Sequence, residues 1–446
     1  MAELTQAAYV TGEVRRRERF RAVVASTVGT SIEWYDFFVY GFGAILIFPS
    51  VFFPARNPTV SLLASLTTYF GGFAARPIGA AIFGHYGDRI GRKATLIATL
   101  VFMGVATFLV GLVPTYAQIG IWGAIILTVL RILQGIGVGG EWGGSVLLST
   151  EWGHPRGRRG FLGSWPQFGV PIGLILGYLA LKVFQPVDVY WGWRIPFLLS
   201  AILFAVGLYI RVGVLETPVF ARLLERQRVE RVPVLDVVVR NWREIVLSAL
   251  IRTGQQAPFY IFTTYILTYA VKTLKFKQGD VFNYVLVAAF LSLLTVPLWG
   301  YVSDLIGRKR MYVIGAAAML VWSFVYWPLL DTRVAGLAFL AIALSLPIHD
   351  MQYGPQAAFI AESFTGRLRY SGASLGYQLA SVTAGGPAPL IAVALLAAYK
   401  TSLAIAIYMA ICALISIVAA ALLTDRTRQD YSAEYDEAAS PAATPA

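Results

Sequence analysis

Twelve apolar runs, each long enough to cross a lipid bilayer as a helix, occupy most of this chain. They lie at 22–48, 60–84, 94–113, 121–148, 161–184 and 195–212, then at 245–271, 281–302, 311–330, 335–361, 373–398 and 401–423. About 20 apolar residues in a helix cover the hydrocarbon layer, and in lipid the helix satisfies its own backbone N–H and C=O groups. The runs therefore predict an all-α integral membrane protein. Composition agrees, since 57% of the 446 residues are hydrophobic and only 13% are charged, with a mean hydropathy of +0.66. The net charge of +12 then reads as membrane topology before nucleic-acid binding. A single cysteine, Cys412, excludes disulfides and cysteine metal sites within one chain. The first run follows Arg15, Arg16, Arg17, Arg19 and Arg21, contains Glu33 and Asp36, and has no small-residue cleavage site after it, so it reads as a retained helix and not a signal peptide.

Short loops rich in Lys and Arg stay in the cytoplasm. With both termini inside, the opposite face holds only Arg56, Lys182, Arg194, Lys272, Lys275, Lys277, Arg333 and Lys400, and the membrane holds Arg76, Arg131 and Arg252. All other basic residues fall on the cytoplasmic side. The expected organisation is a basic segment at 1–21, a six-helix bundle at 22–214, a cytoplasmic linker carrying a surface helix at 215–243, a second six-helix bundle at 244–423, and a disordered acidic tail at 424–446. An internal repeat supports two matching halves related by a pseudo-two-fold axis. Gly84, Asp88, Gly91, Arg92 and Lys93 recur at constant spacing as Gly300, Asp304, Gly307, Arg308 and Lys309, and Glu151 with Arg158 recur as Glu362 with Arg369.

The segment GHYGDRIGRK after the second helix, and less completely GYVSDLIGRKR after the eighth, resemble the loop signature of the major facilitator superfamily. More narrowly, Glu33-Trp34-Tyr35-Asp36-Phe37, Arg76-Pro77-Ile78-Gly79, Arg131 through Gln134-Gly135 to Gly139-Gly140-Glu141, Gly354-Pro355-Gln356-Ala357-Ala358-Phe359 and Arg369-Tyr370-Ser371-Gly372-Ala373-Ser374 are similar to its metabolite:proton symporter family. That resemblance implies a bacterial inner-membrane permease that imports shikimate, 2-oxoglutarate, another carboxylate or, in some members, betaine or proline. Protons would be the coupling ion and no cofactor would be needed. The tail is too short for the coiled coil that marks the osmosensing branch, which makes an organic acid the leading substrate. The partners expected are that solute and the bilayer, without nucleic acid, and the protein is expected to act as a monomer. Uniport or antiport of an uncharged or zwitterionic solute is the alternative, and a membrane sensor without transport ranks below it. No catalytic triad, metal cluster or nucleotide loop lies outside the spanning helices, which argues against an enzyme.

Ionisable groups inside the hydrocarbon region cost about 2.5–3.5 kcal/mol each on insertion scales, so those that persist face one another or a polar cavity. Glu33 and Asp36 lie one turn apart on the first helix, with Tyr40 a further turn on. One of these carboxyls is expected to carry the coupling proton, a fixed structural ion pair being the alternative. In related sugar and proton symporters an acid on helix 1 paired with an arginine on helix 4 acts as the coupling switch, and Asp36 with Arg131 resembles that pair. Glu141, further along helix 4, reads as a later proton stop or a gate. Arg76 reads either as a counter-ion for Glu33 or as snorkelling to the membrane edge. In the second half, Arg252 occupies the position that matches Asp36, and Gln255, Gln256 and Phe259 extend its face. His349 and Asp350 lie between Pro347 and Pro355, where a broken helix 10 is expected to form a second proton site, with Tyr353 and Gln356 touching solute. Tyr40, Arg131, Gln134, Arg252, Gln255, Gln256, Tyr353 and Gln356 are thus the expected substrate contacts. Glu33, Asp36, Arg131, His349 and Asp350 are the expected proton-coupling groups. Asp88 with Arg92, Glu151 with Arg158, Asp304 with Arg308 and Glu362 with Arg369 are expected to latch the cytoplasmic side as exposed pairs, weak singly and effective together. The glycines from Gly135 to Gly144 sit in a spanning helix and suit close helix packing better than phosphate binding.

Overall fold

A computed structural model of the chain describes residues 12–56, 58–152, 158–184, 191–225 and 233–429. Among these residues there are twelve long helical stretches and no strand. In chain order they are α1 (Gly12–Leu46), α2 (Pro58–Arg89), α3 (Arg92–Leu112), α4 (Ile121–Glu151), α5 (Arg159–Phe184) and α6 (Arg194–Val212). The second set comprises α7, which runs from Trp242–Tyr260 through π-helical turns at Ile261–Tyr265 and Tyr269–Thr273, then α8 (Gln278–Ile306), α9 (Arg308–Asp331) and α10 (Ala335–Ala361). It closes with α11, built of Arg369–Ala380, a π turn at Ser381–Gly385 and Ala388–Tyr399, and with α12 (Leu403–Leu422). Nine of the described helices are by themselves long and apolar enough to span a membrane. The other three, α1, α2 and α7, are the ones that bring Glu33 and Asp36, Arg76, and Arg252 with Gln255 and Gln256 into the interior.

Within the first half α1 packs on α5 and α2 on α4, and within the second half α8 packs on α10 and α9 on α12. The two halves meet where α2 lies against α11 and α5 against α8 and α10. The glycines of α4 make the first of these contacts close. A Cβ on Gly135 would fall on the carbonyl oxygen of Gly72, and one on Gly139 on that of Arg76. The backbones of α2 and α4 thus touch directly, which is the packing role read from the sequence.

Four local expectations are corrected. Helix α10 runs unbroken through Pro347 and Pro355. A proline removes one hydrogen bond, but packing by neighbouring helices lets a spanning helix continue, and here Gly354 seats α10 against the backbone of α8 at Val296 and Gly300. The irregular backbone lies instead in α7 and α11, at the three π turns. The first helix starts at Gly12, so part of the basic segment is helical. The linker carries two short helices, Pro218–Glu225 and Pro233–Arg240, with 226–232 outside the described residues, and Glu216, Thr217, Phe220 and Val237 are buried. Of the tail, 430–446 lies outside the described residues, whereas the segment just before it is bound to the protein. Arg159 donates to the carbonyls of Thr427 and Gln429, and Arg426 donates to that of Ser363.

Candidate functional site

The buried charged groups form a layer in each half. In the first half α1 presents Glu33, Asp36 and Tyr40 on one face. Asp36 is 1% exposed, and neither carboxyl oxygen has a hydrogen-bond partner. Arg131 on α4 lies within electrostatic reach of Asp36, yet the direct ion pair expected from the sequence is not made. The guanidinium instead donates from Nη1 to Gln134 Oε1 at 2.5 Å and lies over the Tyr40 ring, 4.2 Å from its centroid. Gln134 in turn donates to Thr107 Oγ1 at 2.8 Å. Thr107 stands beside Asp36, and its hydroxyl donates to the Met103 carbonyl at 3.0 Å. The local amide acceptor and the ring faces of Tyr40, Phe37 and Tyr69 compete successfully for the arginine. Tyr40 shares a hydrogen bond with Thr68 at 3.0 Å.

Arg76 does not snorkel outward; it lies within electrostatic reach of Glu33, as the counter-ion reading has it. It is buried, with its guanidinium over the rings of Phe37 and Phe73 at 4.9 and 4.7 Å. Glu33 is buried beside it with Oε2 unpartnered. Glu141 is an ion-paired group: Arg211 binds its carboxylate, and Thr99 and Ser145 donate to it at 2.9 and 2.8 Å. Sequence reasoning missed Arg211 by counting it among the basic residues of the cytoplasmic side. Its position inside the run 195–212 was the signal that would have found it. With Arg211 included, four buried arginines (Arg76, Arg131, Arg211, Arg252) face four buried acids (Glu33, Asp36, Glu141, Asp350).

The second half holds a continuous chain of polar contacts. Arg252 does not reach the interface. It donates from Nε to Gln356 Oε1 at 3.3 Å and to the Tyr377 carbonyl, and lies over the Tyr377 ring at 3.1 Å. Gln356 donates to Gln255 Oε1 at 3.2 Å, and Gln255 meets His349 Nε2 at 2.5 Å. His349 Nδ1 lies 2.9 Å from Asp350, whose other oxygen accepts from Thr295 at 2.5 Å. Gln256 turns aside to Ser381 in the π turn of α11 at 3.2 Å. Arg252, Gln255, Gln256 and Tyr353 line one cavity, and His349, Asp350 and Tyr353 line another. Each cavity is about 10 Å³, room for roughly one water. Aromatic rings close the space between halves, with Trp34 on Phe259 at 5.6 Å and Phe73 on Tyr260 at 5.1 Å. Phe37, over which Arg131 lies, packs on Tyr260 at 5.7 Å, so the two polar layers stand on either side of this ring pair. Trp142 of α4 stacks on Tyr377 of α11 with centroids 3.6 Å apart.

At the basic face the two halves are sealed. Asp88 accepts from the Tyr370 and Ser371 N–H groups at the start of α11, at 3.2 and 2.9 Å. Asp304 does the same for Gly160 and Phe161 at the start of α5, at 3.0 and 2.9 Å. Each aspartate thus caps a helix of the opposite half, where the helix dipole favours a negative charge. Asp88 also pairs with Arg92 at 3.3 Å, and Asp304 with Arg308 at 2.7 Å. The other two pairs cross over. Glu151 lies 3.5 Å from Arg92 and 3.9 Å from Arg369, and Glu362 binds Arg159 at 2.7 Å and Arg308 at 3.4 Å. Arg158, expected to pair with Glu151, is exposed over the Tyr301 ring, and its neighbour Arg159 takes the inward position. The network is buried, not exposed: Arg92, Glu151, Arg159, Arg308 and Arg369 are all at most 2% accessible. Under it, Glu216 accepts from the Lys93 and Thr217 N–H groups at 3.1 and 2.8 Å, and burial pushes its carboxyl above the usual range.

The profile of the Major Facilitator Superfamily matches residues 34–387 of this chain. The chain belongs to the major facilitator superfamily. Within it the sequence sits with metabolite transporters. It is 38% identical to the inner membrane metabolite transport protein YhjE of Escherichia coli over 92% of this chain and 95% of YhjE. It is 37% identical to the shikimate transporter of the same organism over the same shares, and 31% identical to the proline/betaine transporter of Salmonella typhimurium over 89% and 82%. In fold it matches the proton:xylose symporter XylE bound to 6-bromo-6-deoxy-D-glucose, with a TM-score of 0.74 at 18% identity, over 95% of this chain and 99% of XylE. This facilitator is a multi-pass membrane transporter of small metabolites and not an enzyme.

Proposed function

We propose that this facilitator imports a small organic acid of the shikimate or 2-oxoglutarate class together with protons, by alternating access across a bacterial inner membrane with both termini in the cytoplasm. The observation that carries the reading is the pair Asp36 and Arg131, close together but not bonded to each other. A bare carboxylate without a partner is costly in this setting, so proton uptake at Asp36 relieves the burial. When the proton leaves, the carboxylate attracts Arg131 from Gln134 and Tyr40. When it returns, the guanidinium is free for a substrate carboxylate, which it can bind through two parallel hydrogen bonds. Arg252 offers a second cation across the aromatic partition, and Gln255, Gln356 and His349 offer donors and acceptors for hydroxyl or keto groups. His349 with Asp350 is the second place where a proton can be carried.

The seal at the basic face supports assigning the closed side to the cytoplasm. Parting the rings of Trp34, Phe37, Phe259 and Tyr260 would open the polar layers to solute. The reading rests also on similarity to the shikimate transporter. Similarity to the proline/betaine transporter keeps a zwitterion as the second reading, since Asp36 could face its cationic end. Uptake of a labelled panel of carboxylates and betaines into proteoliposomes, with the outside made acidic, separates the two. Accumulation of one carboxylate that collapses with a protonophore is the expected result. Accumulation of betaine alone, or of any solute without regard to the gradient, overturns the organic-acid symport reading.

A further inference from the structure

A second opening lies apart from the residues of the polar layers. A groove of about 650 Å³ runs along the outside of the first half, between the start of α1 and the start of α5. Arg16, Arg19 and Arg158 line one end, and Phe20, Val24 and Trp165 are among the side chains lining the rest. Thr27 closes the floor by donating to the Trp165 carbonyl at 3.0 Å. Among the described residues no acidic side chain lines the groove. All three arginines are exposed, and none is ion-paired with a described residue, although Arg158 also lies over Tyr301. Phe20 is 70% exposed between two basic residues.

The order of chemistry along the groove matches one class of ligand. From Arg16 to Val28 the helix rises by about 18 Å at 1.5 Å per residue. Over that distance the lining changes from three cations, at the level where α1 and α5 leave the membrane, to valine and aromatic side chains at the level of acyl chains. A soluble anion would use the first part only and leave the apolar walls uncovered. A neutral lipid would leave the guanidinium groups without counter-charge. We propose that the groove is a binding site for an anionic phospholipid of the leaflet on the basic face, its phosphate held by Arg16, Arg19 and Arg158 and an acyl chain laid along Phe20, Val24 and Trp165. Basic residues beside a membrane attract anionic lipid, and three at one headgroup give that end charge enough to select. The site adjoins the first residues of α5, where Arg159, Gly160 and Phe161 bind the other half through Glu362 and Asp304.

The test uses the full chain purified from vesicles of equal phosphatidylglycerol and phosphatidylcholine, with retained lipid identified by native mass spectrometry. The unaltered protein should retain phosphatidylglycerol preferentially. The triple variant Arg16→Gln, Arg19→Gln, Arg158→Gln should lose that preference by about tenfold. Val24→Trp, which fills the apolar part and keeps every charge, should lose it as well and decides the matter if the triple variant does not fold. Arg333→Gln with Lys400→Gln, at the opposite ends of the helices, should leave it unchanged. Equal retention of the two lipids by the unaltered protein, or an undiminished preference in Val24→Trp, overturns the proposal. So does a dimer that Val24→Trp dissociates, which would assign the groove to a second copy.

Discussion

At the residue scale the arrangement turns on arginines that have alternatives. Arg131 has Gln134 and three ring faces as well as Asp36, and in the proposed mechanism this choice lets a proton at Asp36 redirect it. Arg211 has no such freedom. Its guanidinium binds Glu141 and the Leu96 carbonyl, enclosed by Gly29 and the serine and threonine that complete the carboxylate. The two should respond oppositely to substitution. Arg211→Gln leaves a buried carboxylate without its counter-ion, and breaking such a pair costs about 3–5 kcal/mol. Thermal unfolding in detergent should show a large loss of stability, partly recovered in Arg211→Gln with Glu141→Gln. A single variant as stable as the parent would contradict the structural role assigned to the pair. Arg131→Gln should be tolerated by the fold but should abolish uptake. These roles were unevenly legible in the sequence. The intramembrane position of Glu33, Asp36, Arg131 and Arg252 stood out because charge is rare in lipid. Arg211 did not, because an arginine at the end of an apolar run looks the same whether it turns out to the headgroups or back onto Glu141. The choice between Arg158 and Arg159 as partner was equally invisible, since adjacent residues differ only in which way the first turn of α5 faces.

At the element scale the glycines of α4 and the π turns of α7 and α11 define where helices are fixed and where they have slack. Gly135 and Gly139 leave no room for a side chain against α2, so Gly135→Val should separate the helices. Forcing extra atoms into such a contact costs about 1–3 kcal/mol, to be read as a lowered unfolding temperature. The hydrophobic pattern located every spanning helix but misplaced the irregular backbone. Two prolines suggested a broken α10, while the π turns in α7 and α11 carry no comparable mark beyond Pro258 and Pro387. What decides is packing by neighbours, which the sequence of one helix does not contain. The linker adds a pH-dependent element. Glu216 binds a proton more readily when folded than when unfolded, where its value is near 4.5, so its contribution to stability falls as pH rises from that value through the raised folded one. Glu216→Gln should flatten this slope in unfolding temperature against pH. An unchanged slope would show that Glu216 is not the group responsible.

At the scale of the whole molecule, the two halves repeat one device at the basic face. Asp88 caps α11 and Asp304 caps α5, each reaching across to the opposite half and each braced by its own arginine. The repeat of these residues was plain in the sequence, but their local acid and base spacing pointed to pairs within a loop. Folding keeps Asp88 with Arg92 and Asp304 with Arg308 and adds a contact of each aspartate to the opposite half, which in the proposed cycle gives them leverage over opening. A seal made of several such contacts biases a two-state equilibrium instead of fixing it. Asp88→Asn should slow transport without abolishing solute binding, as measured by uptake and by equilibrium binding on the same preparation. Normal transport in that variant would remove the seal from the mechanism. The central claim is that the Asp36 carboxylate and a solute carboxylate alternate as partners of Arg131, the solute binding when Asp36 takes up its proton. The most direct measurement is the pH change in lightly buffered proteoliposomes when substrate is added, compared with exchange of labelled for unlabelled substrate. The account predicts that the unaltered protein takes up protons with substrate, and that Asp36→Asn moves none yet still exchanges. Undiminished proton uptake in Asp36→Asn would contradict it.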